Sequence, residues 1–153
     1  MSAGARGQRS DGAPGPLDVW LSFGELVAWG ELFGRGLVAP VVVGLEGDLG
    51  AGKTTLVQAI CRGVGVAQDV TSPTFALVHE YEMARGTVYH LDLYRLRGPD
   101  DLTNLAWDDI VNSDSIVLVE WAERARGRLP NDALRIRLEH IPGDESRRRL
   151  VMV

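Results

Sequence analysis

From Val41 to Thr55 the chain reads Val-Val-Val-Gly-Leu-Glu-Gly-Asp-Leu-Gly-Ala-Gly-Lys-Thr-Thr, an apolar strand that breaks into glycines and then into a helix. Gly47 to Thr54 satisfy G-x-x-x-x-G-K-[ST] without a mismatch, and strand, glycine loop, helix is the order in which that spacing builds a phosphate cradle. Gly50 and Gly52 have no Cβ, so the backbone can turn through positive φ and aim successive N–H groups at phosphate oxygens. The helix that follows adds unpaired first-turn N–H groups and the positive end of its dipole. Lys53 should reach the β- and γ-phosphates, and the Thr54 hydroxyl is placed to ligate Mg²⁺. Leu49, Gly50, Ala51, Gly52, Lys53, Thr54 and Thr55 are the expected nucleotide-contacting stretch. Lys53 is also the single lysine among 16 Lys and Arg residues. A compact ammonium stands where a point charge is needed and a planar guanidinium fits poorly.

The remaining composition narrows the options. At 153 residues the chain is expected to be a disordered tail over 1–16 and a single domain over 17–153. A net charge of -5 argues against a broad, autonomous nucleic-acid face, so DNA is not an expected partner and any RNA contact is shared. The single cysteine, Cys61, sits in the helix after the loop and reads as packing in a reducing compartment. The apolar run Leu37–Leu45 carries Pro40 and Gly44 and falls well short of the ~20 residues that cross a bilayer. No membrane association is expected. The N-terminus has no apolar signal core, so a cytoplasmic location is expected.

Leu17 to Leu21 alternate as a short strand, and Ser22-Phe23-Gly24-Glu25 fits a capping box that opens a helix ending near Gly34–Gly36, with Leu26, Trp29 (or Gly30) and Phe33 on its apolar face. The helix after the phosphate loop is expected to stop at Gly63. Ala76–Tyr81 and Thr87–Asp92 read as an antiparallel hairpin, and Pro99 to about Asp109 as one acidic helix. Ser115 to Trp121 gives four apolar residues and then Glu120, the pattern of a buried parallel strand with an acid at its C-terminal end. Such an acid can hold Mg²⁺ directly or through water, and Asp92, ending the other β-rich run, competes for that task. Ala133–Glu139 and Arg147–Val153 read as a hairpin closing the sheet edge. The fold expected is α/β: a three-layer, P-loop NTPase-like domain whose mixed central sheet has a parallel core and antiparallel hairpins.

Four stretches together resemble the bacterial TsaE (YjeE) family of P-loop ATPases. They are Gly47–Thr55, Ser72-Pro73-Thr74-Phe75 with Leu77-Val78, His90-Leu91-Asp92-Leu93-Tyr94-Arg95-Leu96, and Leu118-Val119-Glu120-Trp121. The resemblance implies ATP and Mg²⁺ as cofactors and TsaB and TsaD as partners in threonylcarbamoyladenosine modification of tRNA, with tRNA met only through that complex. It further implies Lys53 on the phosphates, Thr54 and Glu120 on Mg²⁺, Asp92 orienting water or coupling hydrolysis to the partner, and Thr74 sensing the γ-phosphate. Leu26 stands where the family's first helix often has a threonine near the adenine, and Ala106-Trp107 where a glycine-containing turn is expected.

Two other functional classes use the same loop. A small-molecule kinase would need an acceptor site, for which the Thr71–Thr74 and Pro99–Asp109 connections are available. A non-hydrolysing assembly module would bind nucleotide without turnover. A GTPase is disfavoured because Asn-Lys-x-Asp needs a second lysine.

Overall fold

The computed structural model describes residues 16–73, 77–125 and 127–152, and of Pro99 only the backbone. Apart from Pro16, the tail expected over 1–16 lies outside the described residues. In chain order the elements are β1 (Leu17–Ser22), α1 (Phe23–Arg35), β2 (Val41–Glu46), α2 (Lys53–Val64), β3 (Val78–Met83), β4 (Gly86–Asp92), α3 (Pro99–Asn104), α4 (Trp107–Val111), β5 (Ile116–Glu120), a 3₁₀ turn at Ala122–Ala125, β6 (Leu134–Ile141) and β7 (Asp144–Met152). The seven strands form one sheet in the order β1-β7-β6-β2-β5-β4-β3. β2 runs parallel to β5 and β6, and β5 parallel to β4, which gives the expected parallel core. The β3/β4 and β6/β7 hairpins are antiparallel. β1 adds outside β7, so the C-terminal hairpin is not the sheet edge; Leu17–Ser22 covers it.

Both faces of the sheet are covered, which is why β2 and β5 read as continuous apolar runs. On one face Val43, Leu45, Ile116 and Leu118 pack with Leu26, Leu56, Val57 and Ile60 of α1 and α2. On the other, Val42, Val117 and Val119 pack with Leu102, Trp107, Ile110 and Ala122. Successive residues of β5 thus alternate between two cores. Cys61 lies wholly inside the first, where burial pushes its thiol up to about 12, as expected of a packing residue.

α1 opens on the capping box, with Ser22 Oγ accepting from Glu25 N at 3.2 Å and Ser22 N donating to Glu25 Oε1 at 2.8 Å. Its apolar face is the expected one: Leu26 and Gly30 are buried, with Gly34 beside them, and Trp29 and Phe33, stacked on one another at 4.9 Å, pack half-buried against the same core. Two local expectations are corrected. α2 continues past Gly63 and ends at Gly65, whose φ of 111° makes the left-handed cap. Gly63 is a contact glycine, since a Cβ there would stand 2.1 Å from Glu31 O, and one on Gly34 would stand 2.2 Å from Ile60 O. Glycines on both helices let the backbones approach. Finally, the acidic helix is two short helices, broken at Ala106, which takes a φ of 58°.

Candidate functional site

The site forms where the parallel strands end, the position at which open α/β sheets bind ligands. β2 delivers Gly47, whose φ is 146° and whose hypothetical Cβ would meet Leu138 O at 2.5 Å, so the loop lies flush against β6. Gly50 and Gly52 take φ of 78° and 111°, conformations that leave a side chain strained. Gly52 caps α2 without a side-chain hydrogen bond, so the first turn keeps its N–H groups for a ligand. Leu49 stands at the rim, 71% exposed. Ala51 is buried, and its N–H turns back to Asp48 O at 3.0 Å.

Lys53 is 5% exposed and its ammonium donates to Gly47 O and, at 3.0 Å, to Asp48 O. Nζ also sits 3.9 Å from the centre of the Trp121 ring, a cation–π contact. Burial lowers the lysine's affinity for its proton, while the Glu120, Glu123, Asp92 and Asp48 carboxylates oppose that shift. Next to it, Thr54 Oγ1 donates toward Glu120, at 3.0 Å to Oε1 and 3.3 Å to Oε2. Glu120 is 2% exposed at the end of the central strand β5, and His90 Nε2 reaches its Oε2 at 2.6 Å.

Asp92 lies opposite Glu120 in the β4/β5 register. Its Oδ1 accepts from Tyr94 N at 2.9 Å and its Oδ2 from Ser72 Oγ at 3.2 Å, which ties Ser72, on the connection between α2 and β3, to the site. Lys53, Thr54, Ser72, Asp92, Tyr94, Glu120 and Trp121 line one cleft of about 350 Å³. Thr74 lies outside the described residues. Across the loop, a hollow of about 210 Å³ is lined by Leu21, Phe23, Leu26, Gly50, Gly52 and Thr55, with Glu145, Ser146 and Arg148 at its polar side. Thr55, Gly50 and Gly52 belong to both spaces.

The donor set suits Mg²⁺. A hydroxyl and a carboxylate converge as hard oxygen ligands, and among the described residues no three His, Cys, Asp or Glu form a cage of their own. Mg²⁺ is ordinarily held by one or two protein oxygens with substrate phosphates and water completing the octahedron. Asp92 and Glu120, rivals in the sequence, prove to be neighbours, and Glu120 is the one in contact with the Thr54 hydroxyl. Sequence reasoning missed His90 and Trp121. For His90 the signal was its place two residues before Asp92 on a strand, which puts both on one face. For Trp121 there was no such signal, because its φ of 57° is what turns the ring over Lys53.

A glycine cradle between a parallel strand and a helix, with lysine, threonine and a strand-end acid converging on it, defines a P-loop nucleotide-binding protein. Residues 22–150 match the family model described as threonylcarbamoyl adenosine biosynthesis protein TsaE, and the chain belongs to that family. The TsaE protein of Haemophilus influenzae is 44% identical over 100 residues, covering 65% of this chain and 63% of that protein's length. That of Nostoc sp. is 43% identical over 122 residues, covering 78% of this chain and 74% of the relative. The crystal structure of Bacillus subtilis YdiB superposes with a TM-score of 0.74 at 29% identity, covering 90% of this chain and 84% of that one. Among the described residues no helix is long and apolar enough to cross a membrane.

Proposed function

We propose that this protein is a Mg²⁺-dependent ATPase, slow alone, that acts in the cytoplasm with TsaB and TsaD proteins to sustain threonylcarbamoyladenosine modification of tRNA. The observation that supports it most is the Thr54–Glu120 contact beside the loop lysine. The family's tRNA-modification role, carried by the relatives' names, supplies the pathway.

In this reading Lys53 leaves the Gly47 and Asp48 carbonyls for the β- and γ-phosphates, and Thr54 and Glu120 hold the metal. Bound Mg²⁺ neutralises charge that develops on the phosphate oxygens. Asp92, steadied by Ser72 and the Tyr94 amide, orients the attacking water, and Thr74 on the same loop senses the γ-phosphate. The adenine occupies the hollow beyond Thr55, where Leu21, Phe23 and Leu26 offer apolar walls. TsaB and TsaD are the direct partners, and tRNA is met through them.

The test is Mg²⁺-dependent ATP hydrolysis by the purified chain, alone and with TsaB and TsaD, for wild type and Lys53→Ala. Slow turnover that rises with partners and vanishes in the variant is expected. Partner-independent rates, or full activity in Lys53→Ala, would sink the reading. One observation favours a kinase instead: a cavity of about 470 Å³ beyond Trp121, lined by Arg97, Arg124 and Arg128, could seat a phosphoryl acceptor. Transfer of labelled γ-phosphate to a metabolite without partners would establish that alternative.

A further inference from the structure

His90 is wholly buried on β4, and among the described residues its Nδ1 is the one buried side-chain polar atom without a hydrogen-bond partner. An apolar residue would fill that space without the penalty of an unsatisfied nitrogen. What the imidazole provides is its other nitrogen, 2.6 Å from Glu120 Oε2. The placement follows from the sheet. His90 pairs with Leu118 and Asp92 with Glu120, so His90 and Glu120 are diagonal neighbours on adjacent parallel strands. Leu91, between them in sequence, points into the opposite core.

The terminal torsion of a glutamate is broad, so a carboxylate aimed at a metal needs its rotation fixed from outside. Thr54 contacts both oxygens and therefore does not choose between orientations by itself. His90 Nε2 contacts one. We propose that His90 is a positioning residue: its Nε2–H holds Glu120 Oε2 and leaves Oε1, beside the Thr54 hydroxyl, turned toward the metal. This rests on Thr54 and Glu120 being the pair that holds Mg²⁺. The ring also meets His79 edge-on at 6.4 Å, and His79 Nδ1 lies 3.3 Å from the Tyr81 hydroxyl, so the imidazole is itself held in place from β3.

The experiment is calorimetric binding of a non-hydrolysable ATP analogue with Mg²⁺ and in EDTA, for wild type, His90→Leu, His90→Gln and Glu120→Ala, each checked for cooperative unfolding. Leucine fills the site without a donor, whereas the glutamine amide restores one at similar reach. In EDTA all four should bind within a few-fold of each other. The tightening produced by Mg²⁺ should fall about 10–100-fold in His90→Leu and largely return in His90→Gln, the range seen when a partner behind a metal ligand is removed. A folded His90→Leu that keeps the wild-type tightening while Glu120→Ala loses it overturns the role of His90 alone. If Glu120→Ala keeps it as well, the metal assignment fails and His90 loses its task with it. Nitrogen-resolved NMR of the wild type needs no variant: a proton at His90 Nε2 that responds to Mg²⁺ and nucleotide supports the proposal, and a proton on Nδ1 alone overturns it.

Discussion

The sheet handles charge in two ways. At its centre, Glu120 is 2% exposed and each oxygen is met by a hydroxyl or an imidazole at fixed distance. In the outer ribbon of β1, β7 and β6, Arg149 bridges Asp18 at 2.6 Å and Glu139 at 3.3 Å, and Arg137 meets Glu139 at 2.7 Å, all open to water. Exposed pairs are screened and bind weakly, whereas a buried carboxylate with imperfect partners is costly to the fold. The difference teaches where function is to be sought: charge kept inside against that cost marks the candidate site, while the arginine network outside ties β7 to its two neighbouring strands.

The sharpest break of this comparison is Lys53→Ala, which removes the central cation. Nucleotide affinity should fall on the order of 100-fold or more by calorimetry, with melting little changed, because charged hydrogen bonds to phosphate are lost. Glu120→Gln keeps the shape and removes the charge. Mg²⁺ tightening of nucleotide binding should drop by at least about 10–100-fold, with EDTA binding retained. A change that spares both charge systems is Gly34→Val, since the new side chain collides with the Ile60 carbonyl across α1 and α2. Overpacking of this kind should cost about 1–3 kcal/mol in denaturant unfolding. Ala106→Gly should work the other way and stabilise by up to about 1 kcal/mol, because glycine takes the left-handed φ without steric strain.

The smallest effect belongs to the ribbon. Ser146 first and Arg147 second hold the Asp144 carboxyl down to about 2, from an ordinary 3.8. A lowered carboxyl contributes stability that is complete above its unfolded value and is lost as pH falls through its folded one. Asp144→Asn should therefore melt slightly below wild type above about pH 4 and converge with it near pH 2. A large gap at neutral pH would mean that the ribbon's charges matter more than their exposure allows.

What the sequence made legible was local or strongly patterned. The phosphate loop, the apolar strands β2 and β5, and the Ser22–Glu25 box each declare themselves within a few residues. Gly63 did not, because a glycine near a helix end looks like a cap until a second helix is seen lying against it. The break at Ala106 was hidden for a different reason: alanine carries no signal for a left-handed backbone, and the residues around it suit a helix. The pairing of Asp92 with Glu120, and of His90 with Glu120, depends on strand register across a separation of about thirty residues. Local patterns do not contain that information. Nor do they place β1 outside the final hairpin.

The lysine's present partners carry a consequence for selectivity. The ammonium is seated on two carbonyls of its own loop, Gly47 O and Asp48 O. A group that recruits this lysine does so by exchange, so the charge favours one anion over another only by the difference between the new contacts and those two carbonyls.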